Sequence, residues 1–252
     1  MKYNMLRKPA LGLFITGTDT EVGKTFVATT IARQLIASGH RVGVYKPVAS
    51  DCVSDGRQLL SEDAFALWEA ADRPLNLEAV CPQRFPLPLA PHLAARSQEC
   101  EVDVELLRSG ISVWADACDI ILVEGAGGLM SPTSDDEFFA DLAYDLGYPV
   151  VIVAPNVIGV INQSLSALIT AANFRDGLNV AGIVLNDARR FDGDISMETN
   201  REQIASRSVA PVITRLRYKA TGFDDHVDWF ELAKTPRAGV ETGSGKSKAI
   251  CR

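Results

Sequence analysis

The chain has 252 residues, 47% of them hydrophobic, with 32 acidic against 25 basic side chains and a formal net charge of −7. That length and apolar fraction suffice for one substantial core, and the acidic balance argues against a nucleic-acid partner, so any anionic ligand must be held by local positive groups. Five cysteines without a CxxC pair and three widely separated histidines argue against a disulfide framework, a zinc ribbon and a serine triad.

No run of about eighteen apolar residues occurs, and MKYNMLRKPALGLFIT lacks a long apolar stretch ending in a cleavage site. The chain therefore reads as soluble and cytoplasmic, with no membrane partner. ALGLFIT (10–16) is the first predicted strand, and KTFVATTIARQLIASG (24–39) is a helix whose apolar spacing stops at Gly39. Between them lies GTDTEVGKT (17–25), which nearly fits the phosphate loop GxxxxGK[ST] but holds five residues between its glycines instead of four. GVETGSGKS (239–247) repeats that spacing, so spacing alone decides nothing. Only the first copy follows an apolar strand and opens a long helix, whose first turn supplies unpaired N–H groups and the positive end of a dipole. In that cradle Gly23 lets the backbone approach phosphate oxygens, Lys24 reaches the outer phosphates, and the Thr25 hydroxyl is placed to ligate Mg²⁺.

RVGVYKP (41–47) is the next predicted strand, and Lys46 emerges from its end on the edge that carries the loop, with Pro47 forcing an extended exit. Two lysines converging on one anion suit phosphoryl transfer or carboxylate activation. Asp63, in SEDAFALWEA, reads from the residues alone as an acid complementing the dipole of a helix start. PQRFPLPLAPHLA (82–94), with four prolines, reads as an ordered loop crossing one edge.

VDVELLRSGISVWADA (102–117), FFADLAYDLG (138–147), INQSLSALITAANF (161–174) and METNREQIASRS (197–208) are predicted helices; DIILVEG (119–125), PVVIVA (149–154), NVAGIVLN (179–186) and APVITRL (210–216) are strands. Consecutive Val and Ile imply strands covered on both faces. The alternation predicts an α/β, three-layer fold of the P-loop NTPase kind, with a mainly parallel sheet flanked by helices and ligands at the strands' carboxyl ends. Glu124 ends one such strand beside Gly125, Ala126 and Gly127, a position that packing explains poorly and metal ligation explains well. Residues 1–220 are expected to form the domain and 221–252 a C-terminal extension whose polar, glycine-rich end is disordered.

GTDTEVGKT, YKPVAS, VEGAGG and, more loosely, PLAPH, GVINQ and VLND stand in the order and spacing of the dethiobiotin synthetase family, which the chain resembles over residues 11–218. The five-residue gap is that family's variant of the cradle. The resemblance implies an ATP-dependent ligase in which 7,8-diaminononanoate takes up CO2 as a carbamate, ATP phosphorylates it, and the second amine closes a cyclic urea. It further implies that Glu21, Val22, Gly23, Lys24, Thr25 and Phe26 line the nucleotide phosphates and that Lys24 and Lys46 stabilise carbamate and γ-phosphoryl charge. By the same resemblance Thr25, Asp63 and Glu124 ligate magnesium, while Thr20 and Ser50 stand near the diamine and Gly125 to Gly127 frame its pocket. Asn186, followed by Asp187, matches the residue that reads adenine. Asn162 matches an asparagine that reaches the substrate across the interface of a homodimer.

The chain departs from the family at Asp51, where PVASD replaces PVASG, at Val157 and Gln163 around the Gly-x-Ile-Asn motif, and at ITRLRY, where Leu-Gly-x-x-Pro is common. Two rival readings stand beside it. A cobyrinate-type amide ligase needs a glutaminase domain for which this length leaves no room. A P-loop partition ATPase carries an extra lysine five residues before the loop lysine, where this chain has Asp19.

Overall fold

The computed structural model describes residues 6–54, 56–190 and 193–235. GVETGSGKS and Cys251 lie outside the described residues. In chain order the elements are strand β1 (Gly12–Gly17), helix α1 (Lys24–Ala37), strands β2 (Val42–Tyr45), β3 (Val48–Ala49), β4 (Val53–Ser54) and β5 (Leu59–Leu60), and helices α2 (Glu62–Ala70) and α3 (Leu77–Val80). Strand β6 (Gln83–Arg84), helices α4 (Pro91–Arg96) and α5 (Val104–Ser109), strand β7 (Ile120–Gly128), helix α6 (Phe139–Leu146), strand β8 (Val150–Pro155) and helix α7 (Val160–Asn173) follow. Strand β9 (Val180–Asn186), helix α8 (Asn200–Ala205), strand β10 (Val212–Leu216) and helix α9 (Trp229–Leu232) complete the described chain.

Six strands form the central sheet in the order β10-β9-β8-β1-β7-β2, and every pairing in it is parallel. Parallel pairing demands crossovers, so helices cover both faces and the central strands are almost wholly removed from water. β1, β2, β7 and β8 are accordingly built from Val, Ile, Leu and Phe buried at nearly every position. Each such side chain contributes roughly 1.5–3 kcal/mol of burial. The chain moves outward from β1 to β2, returns to place β7 between them, and then builds β8, β9 and β10 on the other flank. The direction of winding reverses at β1, and the crevice at its carboxyl end is where such sheets bind ligands.

Several elements differ from the sequence reading. The helix expected over 102–117 is α-helical only through Ser109 and tightens to a 3₁₀ turn over Gly110–Trp114. A Cβ at Gly110 would collide with the Tyr45 hydroxyl, which donates to Leu106 O at 3.0 Å and Leu107 O at 3.1 Å. A buried phenol thus draws the carbonyls that the next helical turn would have used. The proline-rich stretch is a loop only in part: β6 pairs with β3, and Pro91 opens α4 at a position where its missing N–H costs nothing. The helix expected over 197–208 begins as α-helix at Asn200, after a 3₁₀ turn over Ile195–Glu198.

Beyond residue 220 the chain folds back onto the domain. Trp229 is buried and donates its Nε1–H to Gln34 Oε1 at 2.7 Å, stapling α9 to α1. Among the described residues no helix is long and apolar enough to cross a membrane.

Candidate active site

The loop between β1 and α1 wraps the positive end of α1. Gly23 is the N-cap with φ +85°, no side chain caps the free amides, and no acid stands in the first turn, so that end of the dipole is uncompensated. A Cβ at Gly23 would strike the Asn186 side-chain amide, so glycine is required both for the left-handed backbone and for the space. Asn186 Nδ2 donates to Val22 O at 2.9 Å, tying the loop to the end of β9. Lys24 is only 7% exposed and folds back over the loop, with Nζ donating to Asp19 O at 3.1 Å. Burial, resisted by Glu124 and reinforced by the Lys46 ammonium, leaves its pKa below the ordinary lysine value.

Lys46 directly follows β2 and Glu124 lies in β7, its neighbour in the sheet, so the topology brings both side chains to one edge. Lys46 is 3% exposed and Glu124 1%. The ammonium donates to Glu124 Oε1 at 2.6 Å and stands 2.8 Å from Asp63 Oδ2. Thr25 donates its hydroxyl to the same Glu124 Oε1 at 2.9 Å. Burial works against the Lys46 charge, but Glu124 and Asp63 outweigh it and hold the pKa above the ordinary value. Burial likewise opposes the Asp63 carboxylate, yet Lys46 and then the Thr25 hydroxyl keep it below the usual carboxylate range. Asp63 does sit in the first turn of α2, capped by Ser61, but its ion pair with Lys46 makes the dipole reading incomplete. The sequence-predicted Lys24, Thr25, Lys46, Asp63 and Glu124 are therefore gathered in one place.

The other predicted residues surround this cluster or stand apart from it. Thr20 and Glu21 lie exposed on the lip of the loop, with Glu21 in left-handed backbone at φ +57°. Gly125, Ala126 and Gly127 continue β7 past Glu124. Ser50 ends the segment after β3, and Asp51 has φ +59°, which explains why glycine suits that position and why aspartate, tolerant of left-handed backbone, can replace it. Asp51 N donates to Leu87 O at 3.1 Å, so the proline-rich loop flanks this turn. Asn162 is exposed on α7.

On the far side of the loop a cleft of about 370 Å³ is bordered by Thr20, Val22, Asn156, Val157, Asp187 and Met197. Of its polar residues the sequence reading named Asp187 but missed Asn156, Asn200 and Arg215. Arg215 on β10 donates to both carboxylate oxygens of Asp187 at 2.6–3.0 Å, and Asn156 donates to Asp187 Oδ1 at 2.9 Å. Asn200 in turn donates to Asn156 Oδ1 at 3.0 Å. Asp187 is thus fully engaged in holding the cleft's wall. The visible signal was a polar residue following each apolar strand: Asn156 after β8 and Asp187 after β9.

Thr25, Asp63 and Glu124 present a hydroxyl and two carboxylates, the hard oxygen donors that suit magnesium. Glu124 Oε2 is buried without a hydrogen-bond partner, an anionic atom left open to a cation. Among the described residues no group of three His, Cys, Asp or Glu is arranged to hold a metal, so the Thr25 hydroxyl must join the two carboxylates in any such site. The residues present fit the ion.

A family model described as "AAA domain" matches residues 11–221. The chain is 41% identical over 218 residues to an ATP-dependent dethiobiotin synthetase of Rhodopirellula baltica, covering 81% of this chain and 83% of that one. It is 34% identical over 214 residues to the enzyme of the same name from Thermodesulfovibrio yellowstonii, covering 82% and 88%. A third, from Anaeromyxobacter dehalogenans, is 43% identical over 194 residues, covering 77% and 84%. Identity of 34–43% over 77–82% of this chain and 83–88% of these relatives places the chain in the ATP-dependent dethiobiotin synthetase family.

Proposed function

We propose that this chain catalyses the ATP-dependent closure of 7,8-diaminononanoate and CO2 to dethiobiotin, with ADP and phosphate released, in the cytoplasm. The observation that carries this reading is the convergence of two buried ammonium groups, Lys24 and Lys46, on the carboxyl edge of β1, β2 and β7 beside an uncapped helix start.

CO2 accepts an uncharged amine without help from a protein nucleophile: a C–N bond forms as one C=O π bond opens, the amine proton passes to water, and a carbamate anion results. Lys46, at the inner side of the cluster, is placed to balance that charge. A carbamate oxygen then attacks the γ-phosphorus as its bond to ADP breaks. Lys24 and the loop amides stabilise the charge spread over the transferring phosphoryl group. The second amine attacks the activated carbonyl carbon, phosphate leaves, and the ring closes. In this reading Thr25, Asp63 and Glu124 hold Mg²⁺, which when bound neutralises the nucleotide phosphates. Glu21 to Phe26 cradle those phosphates, Gly125 to Gly127 with Thr20 and Ser50 border the diamine, and Asn186 with Asp187 stands on the base side.

A homodimer completes the proposal. α7 buries only Val160, Ser164 and Ala171 of its 14 residues. Asn162, Ser166, Ile169 and Asn173 form an exposed stripe along it, with Ile158 80% exposed just ahead. A helix face left this open, with Ile158 and Ile169 exposed among small polar side chains, fits a second copy of the chain, which would receive Asn162 at its own pocket. The partition-ATPase alternative has no comparable support, since Asp19 stands where its second lysine would be, its carbonyl accepting from Lys24 and its carboxylate from Thr20. Phosphate release separates the two: the synthetase reading requires diamine and CO2 together, and release driven by DNA, membrane or a partner protein would contradict it.

A further inference from the structure

Lys46 occupies the very oxygens that a magnesium ion needs. Its ammonium lies between Glu124 Oε1 and Asp63 Oδ2, at 2.6 and 2.8 Å, and the Thr25 hydroxyl shares Glu124 Oε1. All three residues proposed to ligate the metal are thus in one cluster with this lysine, directly or through Glu124. A single positive charge cannot neutralise two carboxylates, and Glu124 Oε2 remains buried without a partner. The two carboxylates also differ in access: the Glu124 side chain is 1% exposed, whereas that of Asp63 is 49% exposed, which marks the side from which a cation can enter.

We propose that the Lys46 ammonium holds the place of the divalent cation until the cation arrives, and that metal binding and lysine release are one exchange. The inference rests on the magnesium reading given above. A doubly charged ion meeting Asp63 first and Glu124 second neutralises both carboxylates and repels the ammonium that had bridged them. Lysine is suited to the move, being a compact charge on a flexible four-carbon stem. Lys24 lies close enough for its charge to be felt at the same cluster, which adds to the repulsion once the carboxylates are neutralised. Before the exchange, Lys46 gives the buried Glu124 and the half-exposed Asp63 beside it a counter-charge. After it, the ammonium is free to face the carbamate, so the lysine is available to the reaction only once the metal is seated. The coupling makes the empty site stable and gives the metal a weaker grip than the bare oxygens would allow.

The test uses the full chain without nucleotide and Mn²⁺ as the probe, titrated by the loss of the free-ion electron paramagnetic resonance signal. Lys46→Met removes the competitor, and Mn²⁺ should bind on the order of tenfold or more tightly than to the parent, each tenfold being about 1.4 kcal/mol. Lys46→Arg restores a competing cation and should bind as weakly as the parent. Because Lys46→Met leaves Glu124 buried without its counter-charge and lowers stability, melting curves form a second readout: Mn²⁺ should raise the melting temperature of Lys46→Met more than that of the parent. Equal or weaker Mn²⁺ binding by Lys46→Met, or an equal rise in melting temperature, overturns the exchange. Asp63→Asn and Glu124→Gln separate this outcome from failure of the magnesium reading, since retention of parental Mn²⁺ binding in both would discard the ligand set itself, whereas loss in both with no gain in Lys46→Met discards the exchange alone.

Discussion

At the scale of single residues, the site depends on a few positions that tolerate no substitute. Gly23→Ala places a side chain in left-handed backbone, at about 1–2 kcal/mol, and drives it into the Asn186 amide that ties the loop to β9. Loss of measurable nucleotide binding by calorimetry, with a lower melting temperature, is the expected result. Lys46→Ala should abolish turnover while nucleotide binding persists, because Lys24 and the loop amides are untouched. It should also cost about 3 kcal/mol in stability, since Glu124 is left buried without a counter-charge. Turnover at the parental rate would remove Lys46 from the chemistry. The thiols give a pH test away from the site. Burial pushes the Cys118 thiol up to about 11 and that of Cys81 to about 12, from an ordinary 9.0. Both hold their protons more tightly folded than unfolded, so their contribution to stability is whole below pH 9.0 and is lost as pH rises through those values. Denaturant titrations at pH 8 and pH 10 should show the decline, and at pH 8 peptide mapping after alkylation should find Cys100 labelled well before Cys52, Cys81 and Cys118. Lys46 and Glu124 were legible in the sequence because each stands at the end of an apolar run, and strand ends share an edge; Lys24 was legible from the glycine-rich loop that opens α1. Asp63 was not, since its link to Lys46 depends on how α2 lies against the sheet; only the family resemblance singled it out. Arg215 escaped for a similar reason: its grip on Asp187 follows from the pairing of β10 with β9, which no local pattern reports.

At the scale of elements, period explains both what was read and what was missed. Long runs such as IILVE and VVIVA carry an unmistakable strand signal, and α1 and α7 a helical one. Two-residue strands such as β3 and β6 have no period to detect, although their pairing holds the Ser50–Asp51 turn near the proline-rich loop. The break at Gly110 needed knowledge of Tyr45, which is distant in sequence and packed against that helix. α7 is the element whose surface makes its own prediction. Ile169 is 64% exposed on the stripe that carries Asn162. Ile169→Asp should leave the monomer folded, since nothing buried is disturbed, and shift the chain from dimer to monomer in sedimentation with a large loss of turnover. A variant that sediments and turns over like the parent would exclude this face from the interface.

At the scale of the whole molecule, an all-parallel sheet reverses its winding at β1 and delivers the phosphate loop, Lys46 and Glu124 to a single crevice. The core is one large apolar cluster with a small satellite under α6 and α7, so the site rests on a rigid floor. Charge is then what distinguishes this crevice, because a chain with an overall charge of −7 concentrates two buried ammonium groups there. The measurement that tests this account most directly is mass spectrometry of the products after incubation with 7,8-diaminononanoate, bicarbonate, magnesium and ATP. The account predicts dethiobiotin together with an equal amount of ADP and phosphate, and no phosphate when either the diamine or bicarbonate is withheld. Phosphate released at the same rate without the diamine, or consumption of ATP with no product of that mass, would contradict it.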